Sequence, residues 1–132
     1  MLTRLACLAL LLAAHPAFAE ARPPLSQVKS IYDHMLRVAI EVSDRCPEIT
    51  PRKLRGFRVL WGLRSDACDL GYTGADITAY AESDASEARA RKLGYAHVRR
   101  FGFDPETVEG LCAFGRDQIS RSSFIGSLLR QR

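Results

Sequence analysis

The chain of 132 residues lacks the short motifs that mark most small catalytic domains. It has no Cys-x-x-Cys, which removes a thioredoxin-like redox pair and c-type haem attachment. It has no Gly-x-Ser-x-Gly and no glycine-rich phosphate loop. Histidine is scarce. Beyond the first nineteen residues only His34 and His97 occur, and neither has a second ligand at zinc spacing. Each reads as a surface or structural residue, with pH sensing the one role open to it. A strong excess of one charge is also missing. The 19 basic residues face 15 acidic ones, which argues against dedicated nucleic-acid binding. Only Lys29, Lys53 and Lys92 are lysines; the other basic residues are arginine. No apolar run reaches the roughly 20 residues that a membrane span needs.

What is present begins with a leader. One positive charge at Arg4, the ten-residue apolar run Leu5 to Ala14, the break at His15-Pro16 and the small-x-small site Ala17-Phe18-Ala19 follow the order of a secretory signal peptide. Cys7 does not read as a lipoprotein cysteine, because Arg4 stands where an apolar residue belongs. Cleavage after Ala19 leaves residues 20–132, with 18 basic residues against 15 acidic and a net charge of +3. That length suits one domain with a modest core and no integral membrane span. The chain is expected to be exported to an oxidising compartment.

After a polar lead over 20–24, the single domain over 25–132 reads as four helices. The first spans 25–45, with Val28, Tyr32, Met35, Ala39 and Val42 on one face. The second spans 51–70, capped by Thr50 with Pro51 in its first turn and ended by Gly71. Leu54, Phe57, Leu60, Trp61, Ala67 and Leu70 are its expected buried side. The third spans 74–101, opened by a Thr73/Asp76 capping box, continuous through Gly94 and ended by Gly102. Its middle, Glu82 to Lys92, has only alanines as apolar residues and predicts either close packing through alanine or a solvated arm. The fourth runs from Asp104-Pro105 to about Leu129, with Gly115, Ser122 and Gly126 placed for close helix approach. No alternating run is long enough for a sheet. The expectation is an all-α fold, a small four-helix up-down bundle stapled by one disulfide.

Three cysteines follow the leader, and an oxidising compartment makes one disulfide the default. In an up-down bundle Cys46 lies at the end of the first helix. Cys68 lies roughly 25 Å away along the second, beyond the roughly 7 Å Cα separation that a bridge tolerates. The third helix overshoots by roughly 12 Å and Cys112 lies roughly 10 Å down the fourth, level with Cys46. The predicted pair is Cys46 with Cys112. Cys68 is left over. It reads first as a small buried group near a helix end, and otherwise as a free thiol or an intermolecular bridge.

The carboxylates Asp66, Asp69, Asp76, Glu82, Asp84 and Glu87 cluster in sequence, but they are expected to cap and solubilise rather than to form a catalytic pair. Two surface features stand out. Arg52, Lys53, Arg55 and Arg58 place positive charge in a first helical turn, against the helix dipole. Ser120, Arg121, Ser122 and Ser123 interrupt an apolar helix with polar residues. Both are candidate partner surfaces.

Cys46-Pro47, the stretch Leu70 to Asp84 (LGYTGADITAYAESD) and the stretch Leu111 to Arg130 (LCAFGRDQISRSSFIGSLLR) resemble a family of short exported alphaproteobacterial proteins, domain-of-unknown-function family 5333. The resemblance covers essentially the whole chain after the leader. It implies a periplasmic address and supplies no activity, and Cys68 is not part of its pattern. The expected function is therefore non-enzymatic: an envelope accessory factor that binds an unidentified protein partner, with no catalytic residues, cofactor or metal. A periplasmic holdase chaperone is the alternative, motivated by the thin core of the third helix, and a small enzyme comes third.

Overall fold

The computed structural model describes residues 22–28 and 30–132, and side chains from residue 33 onward within the first helix. The leader over 1–19 with its cleavage point, Cys7, Glu20 and the burial of Tyr32 lie outside the described residues. A 3-10 turn over Leu25–Gln27 precedes α1 (Ser30–Arg45), β1 (Ile49–Pro51), α2 (Lys53–Asp69), α3 (Gly74–Ala81), α4 (Asp84–Arg100), α5 (Val108–Ser120), α6 (Phe124–Ser127) and β2 (Leu129–Gln131). The protein is thus mostly helical, but the four-helix bundle expected from the sequence is replaced by six α-helices and a short sheet among the described residues.

Each difference has a local cause. The predicted third helix breaks at Ser83, whose hydroxyl accepts a hydrogen bond from the Ser86 amide and caps a new helix. The predicted fourth helix starts three residues late, because Thr107 rather than Asp104 caps it, accepting from the Gly110 amide. It then ends at Ser120 in a Schellman turn. Ser122 donates to the Ile119 carbonyl and Ser123 to the Gln118 carbonyl, with Ser122 in the left-handed region at φ 50°. Gly71 and Gly102 make the same turn after α2 and α4, as the sequence predicts, at φ 89° and 84°. Pro51, expected inside a helix, lies in β1 instead. There it pairs with Leu129 in an antiparallel ladder that also joins Ile49 to Gln131 and Thr50 to Arg130. A proline suits so short an edge, since it has no amide to donate. The Thr73/Asp76 capping box is present.

The core is closed by α1, α4, α5, α6 and the two strands. Leu36, Val38, Val42, Ile49, Val98, Leu111, Phe114, Ile125 and Leu129 pack there. On α4 the buried positions are Ser86, Ala90, Gly94 and Val98, one small-residue stripe at a spacing of four. It lets α4 lie close on α1: a Cβ on Gly94 would stand 2.5 Å from Val38 Cγ2. The alanine-rich middle is therefore a close-packing face and not a solvated arm. Gly126 similarly lets α6 fold back on α5, since a Cβ there would meet the Gln118 carbonyl oxygen at 1.9 Å. Cys46 and Cys112 are bonded across this core, with Cα atoms 5.3 Å apart and a sequence separation of 66.

Two outcomes test these points. Closing a loop of that length contributes about 4 kcal/mol by restricting the unfolded chain. The double variant Cys46→Ser, Cys112→Ser should lose about that much in a urea titration, and a loss below about 1 kcal/mol would contradict the staple role. Ser122→Gly relieves a left-handed serine, and should raise stability by about 0.5–1 kcal/mol. A lower unfolding midpoint would show that the Ser122 side chain outweighs its backbone conformation.

Candidate functional site

α2 stands outside the core. Its base is fixed by Arg52, whose amide donates to the Leu128 carbonyl at 2.7 Å and whose Nε donates to the Leu129 carbonyl at 3.1 Å. Its far end is held by the turn into α3. There the Arg22 guanidinium lies 3.9 Å over the Tyr72 ring and donates to the Gly71 carbonyl, while the Tyr72 hydroxyl donates to the Pro23 carbonyl. Between these anchors only one side of α2 is covered. Val59 reaches the core, Leu63 is half-buried and Ala67 is buried.

The other side is open. Leu54 is 80% exposed, and Phe57 and Trp61 are 62% exposed each. At about 3.6 residues per turn, these three and Cys68 fall on one outward stripe. The Phe57 and Trp61 rings stack with centroids 5.9 Å apart. Leu60 sits at the border between the two sides, and Leu70 is also exposed. Of the expected buried side, Leu54, Phe57, Leu60, Trp61, Ala67 and Leu70, only Ala67 is buried, so the expectation is overturned for the other five. The sequence carried the sign of this in its second apolar row, Val59, Leu63 and Ala67: a helix with two apolar rows has one that the domain need not cover. Cys68 is likewise exposed rather than buried.

The first predicted partner surface coincides with this open side. Arg52, Lys53, Arg55 and Arg58 are all exposed. With Arg130 they line a shallow groove beside Leu54. Lys53, Arg55 and Arg58 have no carboxylate partner among the described residues. Asp66 and Asp69 lie at the opposite end of the same helix. The second predicted surface is turn architecture. The Ser123 hydroxyl caps α6 by accepting from the Gly126 amide, Ser120 donates to the Asp117 carbonyl, and Arg121 pairs with Asp117 at 2.8 Å while its guanidinium lies over Phe101.

The structure brings His34 and His97 together, with ring centroids 6.1 Å apart. His97 also packs on Phe101 and Phe114. Burial, then the charge of His34 and then Arg100 hold its pKa below the usual imidazole value. The clustered carboxylates are engaged locally: Asp76 in the capping box, where hydrogen bonds from Thr73 lower its pKa, and Glu87 with Arg37 at 2.6 Å and Arg91 at 3.5 Å. The one trio at metal-ligand distance among the described residues is Cys46, Glu48 and Cys112. Its sulfurs are bonded to each other, and Glu48 pairs with Arg116 at 2.6 Å. These groups offer no free ligand set.

A second concave feature lies on the inner side of α2. A cleft of about 280 Å³ opens between α1, α2, α3 and α4, with Leu25 and Val28 at its edge. Leu36, Ile40, Leu60, Leu63, Ile77 and Tyr80 form its apolar wall, and Asp33, Arg37, Arg64 and Glu87 supply its polar groups. Sequence reasoning missed Asp33, Arg37 and Arg64 as cleft residues and read Glu87 only as solubilising, because each looks like an ordinary solvated position on its own helix.

The chain belongs to the family of unknown function DUF5333. The family's model matches residues 23–130, which takes in α1 to α6 and all of β1. No curated protein and no solved structure matches the chain. Both features of α2 fall inside the matched span, so both belong to the domain that defines the family.

Burial holds the Asp33 carboxyl above its ordinary value of 3.8, opposed by the nearby charges of His34 and Arg89. The folded chain then binds this proton more tightly than the unfolded chain. Asp33 favours folding below pH 3.8 and loses that contribution as pH rises through its raised value. Asp33→Asn, which fixes a neutral side chain, should raise the melting temperature at neutral pH, with the gain shrinking as the pH approaches 3.8. A gain that is independent of pH would assign the effect to packing instead.

Proposed function

We propose that this protein is a non-enzymatic accessory factor of the periplasm that acts by docking another protein on the outward face of α2. The observation that carries this reading is the row Leu54, Phe57 and Trp61, more than half exposed on successive turns of a helix that the core does not need. A contiguous apolar patch of this kind on a small domain marks an interaction surface. Tryptophan and arginine are also the residues most enriched where binding energy concentrates. The leader pattern and the Cys46–Cys112 bond both fit an oxidising compartment.

Charge selects the kind of partner. Arg52, Lys53, Arg55 and Arg58 are exposed in the first half of α2, and Asp69 is exposed at its far end. A bilayer that carries only negative charge attracts the first end and repels the second. A protein segment can present acid to one end and base to the other around an apolar centre, and this arrangement fixes its direction. A holdase would use the same apolar row without regard to charge.

The test places a photo-crosslinking benzoylphenylalanine at Phe57 in cells that produce the full chain. The expected outcome is a discrete adduct with a different protein, reduced about ten-fold by Arg55→Glu with Arg58→Glu while the far-UV circular dichroism stays unchanged. A ladder of adducts insensitive to charge reversal would favour the holdase. An adduct at twice the chain's own mass, an adduct with lipid alone, or no adduct would overturn the reading.

A further inference from the structure

The cleft on the inner side of α2 is separate from the docking face, and its chemistry is different. We propose that it binds a small amphiphilic carboxylate, a hydrocarbon body of about ten carbons whose acid group is held by Arg37 and Arg64.

Size and lining set the body of this ligand. This cleft measures about 280 Å³, about twice the roughly 150 Å³ cavity that accepts benzene. It persists because α4 presents Ser86 and Ala90 to it where larger side chains would fill it. Facing them are Leu36 and Ile40 from α1, Leu60 and Leu63 from α2 and Ile77 from α3. An unbranched chain or a pair of fused rings matches that wall, whereas a sugar or nucleotide would leave its hydroxyl groups against hydrocarbon.

The polar end sets the head group. Arg37 Nε is buried and has no hydrogen-bond partner among the described residues, although Nη2 of the same side chain is bonded to Glu87 at 2.6 Å. Nε itself is closed to solvent, so an occupant of the cleft meets Arg37 through the outer part of its guanidinium, on a side chain that is 34% exposed. Arg64 also lines the cleft and has no carboxylate partner among the described residues. Its Nη2 lies where a Cβ on Gly74 would come within 2.6 Å. The exposed guanidinium thus lies against the first turn of α3, where it can meet an anion in the cleft. A carboxylate presents two oxygens to such planar donors. The acidic neighbours do not forbid it. Glu87 is already paired with Arg37 and Arg91, and the positive charges of His34 and Arg89 stand near Asp33.

The experiment is titration calorimetry of decanoate and of decanol into the chain as its host processes it, with methyl chemical shifts recorded for the leucine and isoleucine residues. Decanoate should bind saturably at one site per chain, at least ten-fold more tightly than decanol, and should shift Ile40, Leu63 and Ile77. Arg64→Gln should weaken decanoate about ten-fold and leave decanol unchanged. Ala81→Trp, at the rim of the cleft, should abolish both without moving the unfolding midpoint. Absence of saturable binding to the unmodified chain, equal affinity for acid and alcohol, insensitivity to Arg64→Gln, or shifts confined to Leu54 on the outer face would each overturn the proposal. None of these outcomes bears on what docks at Phe57 and Trp61.

Discussion

The covalent tie between the end of α1 and the second turn of α5 sets the frame for the rest of the molecule. Cys46 follows α1 directly, and three residues later the chain enters β1, which pairs with β2 at the far end of the sequence. The disulfide and the ladder therefore close the same small region twice, once through sulfur and once through backbone. Ile49 and Leu129, fully buried on the two strands, fill the space between them. Next to them the last helix is folded back on α5, with Gly126 against the Gln118 carbonyl. Gln118 itself, 1% exposed, is the one large polar side chain buried in the domain's described part. Its amide nitrogen bonds to Asp117 Oδ2, so it enters the interior with a partner.

The core cluster takes only Val59 from α2 and no residue of α3. Between β1 and α4 the chain makes an excursion of two helices, tied down at Arg52 where it leaves and at Ser83 where it returns. The excursion is held by its inner row of Val59, Leu63 and Ala67 and by the clasp of Arg22 and Tyr72. This division explains why the most hydrophobic side chains of α2 are outside. A helix needed for the core would be selected to turn Trp61 and Phe57 inward, where each would bury well over a hundred square ångströms. Here a smaller inner row suffices for attachment, and the larger outer row is left for something else.

The sequence made the helix ends legible wherever they rest on one residue type with one physical role. Gly71 and Gly102 take the left-handed position that ends a helix, and the Thr73/Asp76 box opens α3. The disulfide pairing was legible because a long helix separates Cys68 from the other two cysteines. Breaks made by ambiguous residues were hidden. Ser83 and Ser122 do the work of a start and a stop, but serine inside an alanine-rich or apolar run reads as tolerated helix. The ladder was hidden because three residues per strand give no alternation to detect. Burial was misread on α2 for a different reason. Periodicity shows that Leu54, Phe57 and Trp61 share a face, yet it cannot say whether that face meets the domain or something beyond it.

The two features of α2 meet at one side chain. Leu60 lies on the border, half exposed, lining the cleft beside the outer row of Phe57 and Trp61. Between Arg52 and the clasp of Arg22 and Tyr72, α2 is attached only through Val59, Leu63 and Ala67. This inner row is too small to close the space against α4, which faces it with Ser86 and Ala90. One physical cause therefore leaves both features: a helix attached by small side chains keeps its large rings outside and a cleft inside.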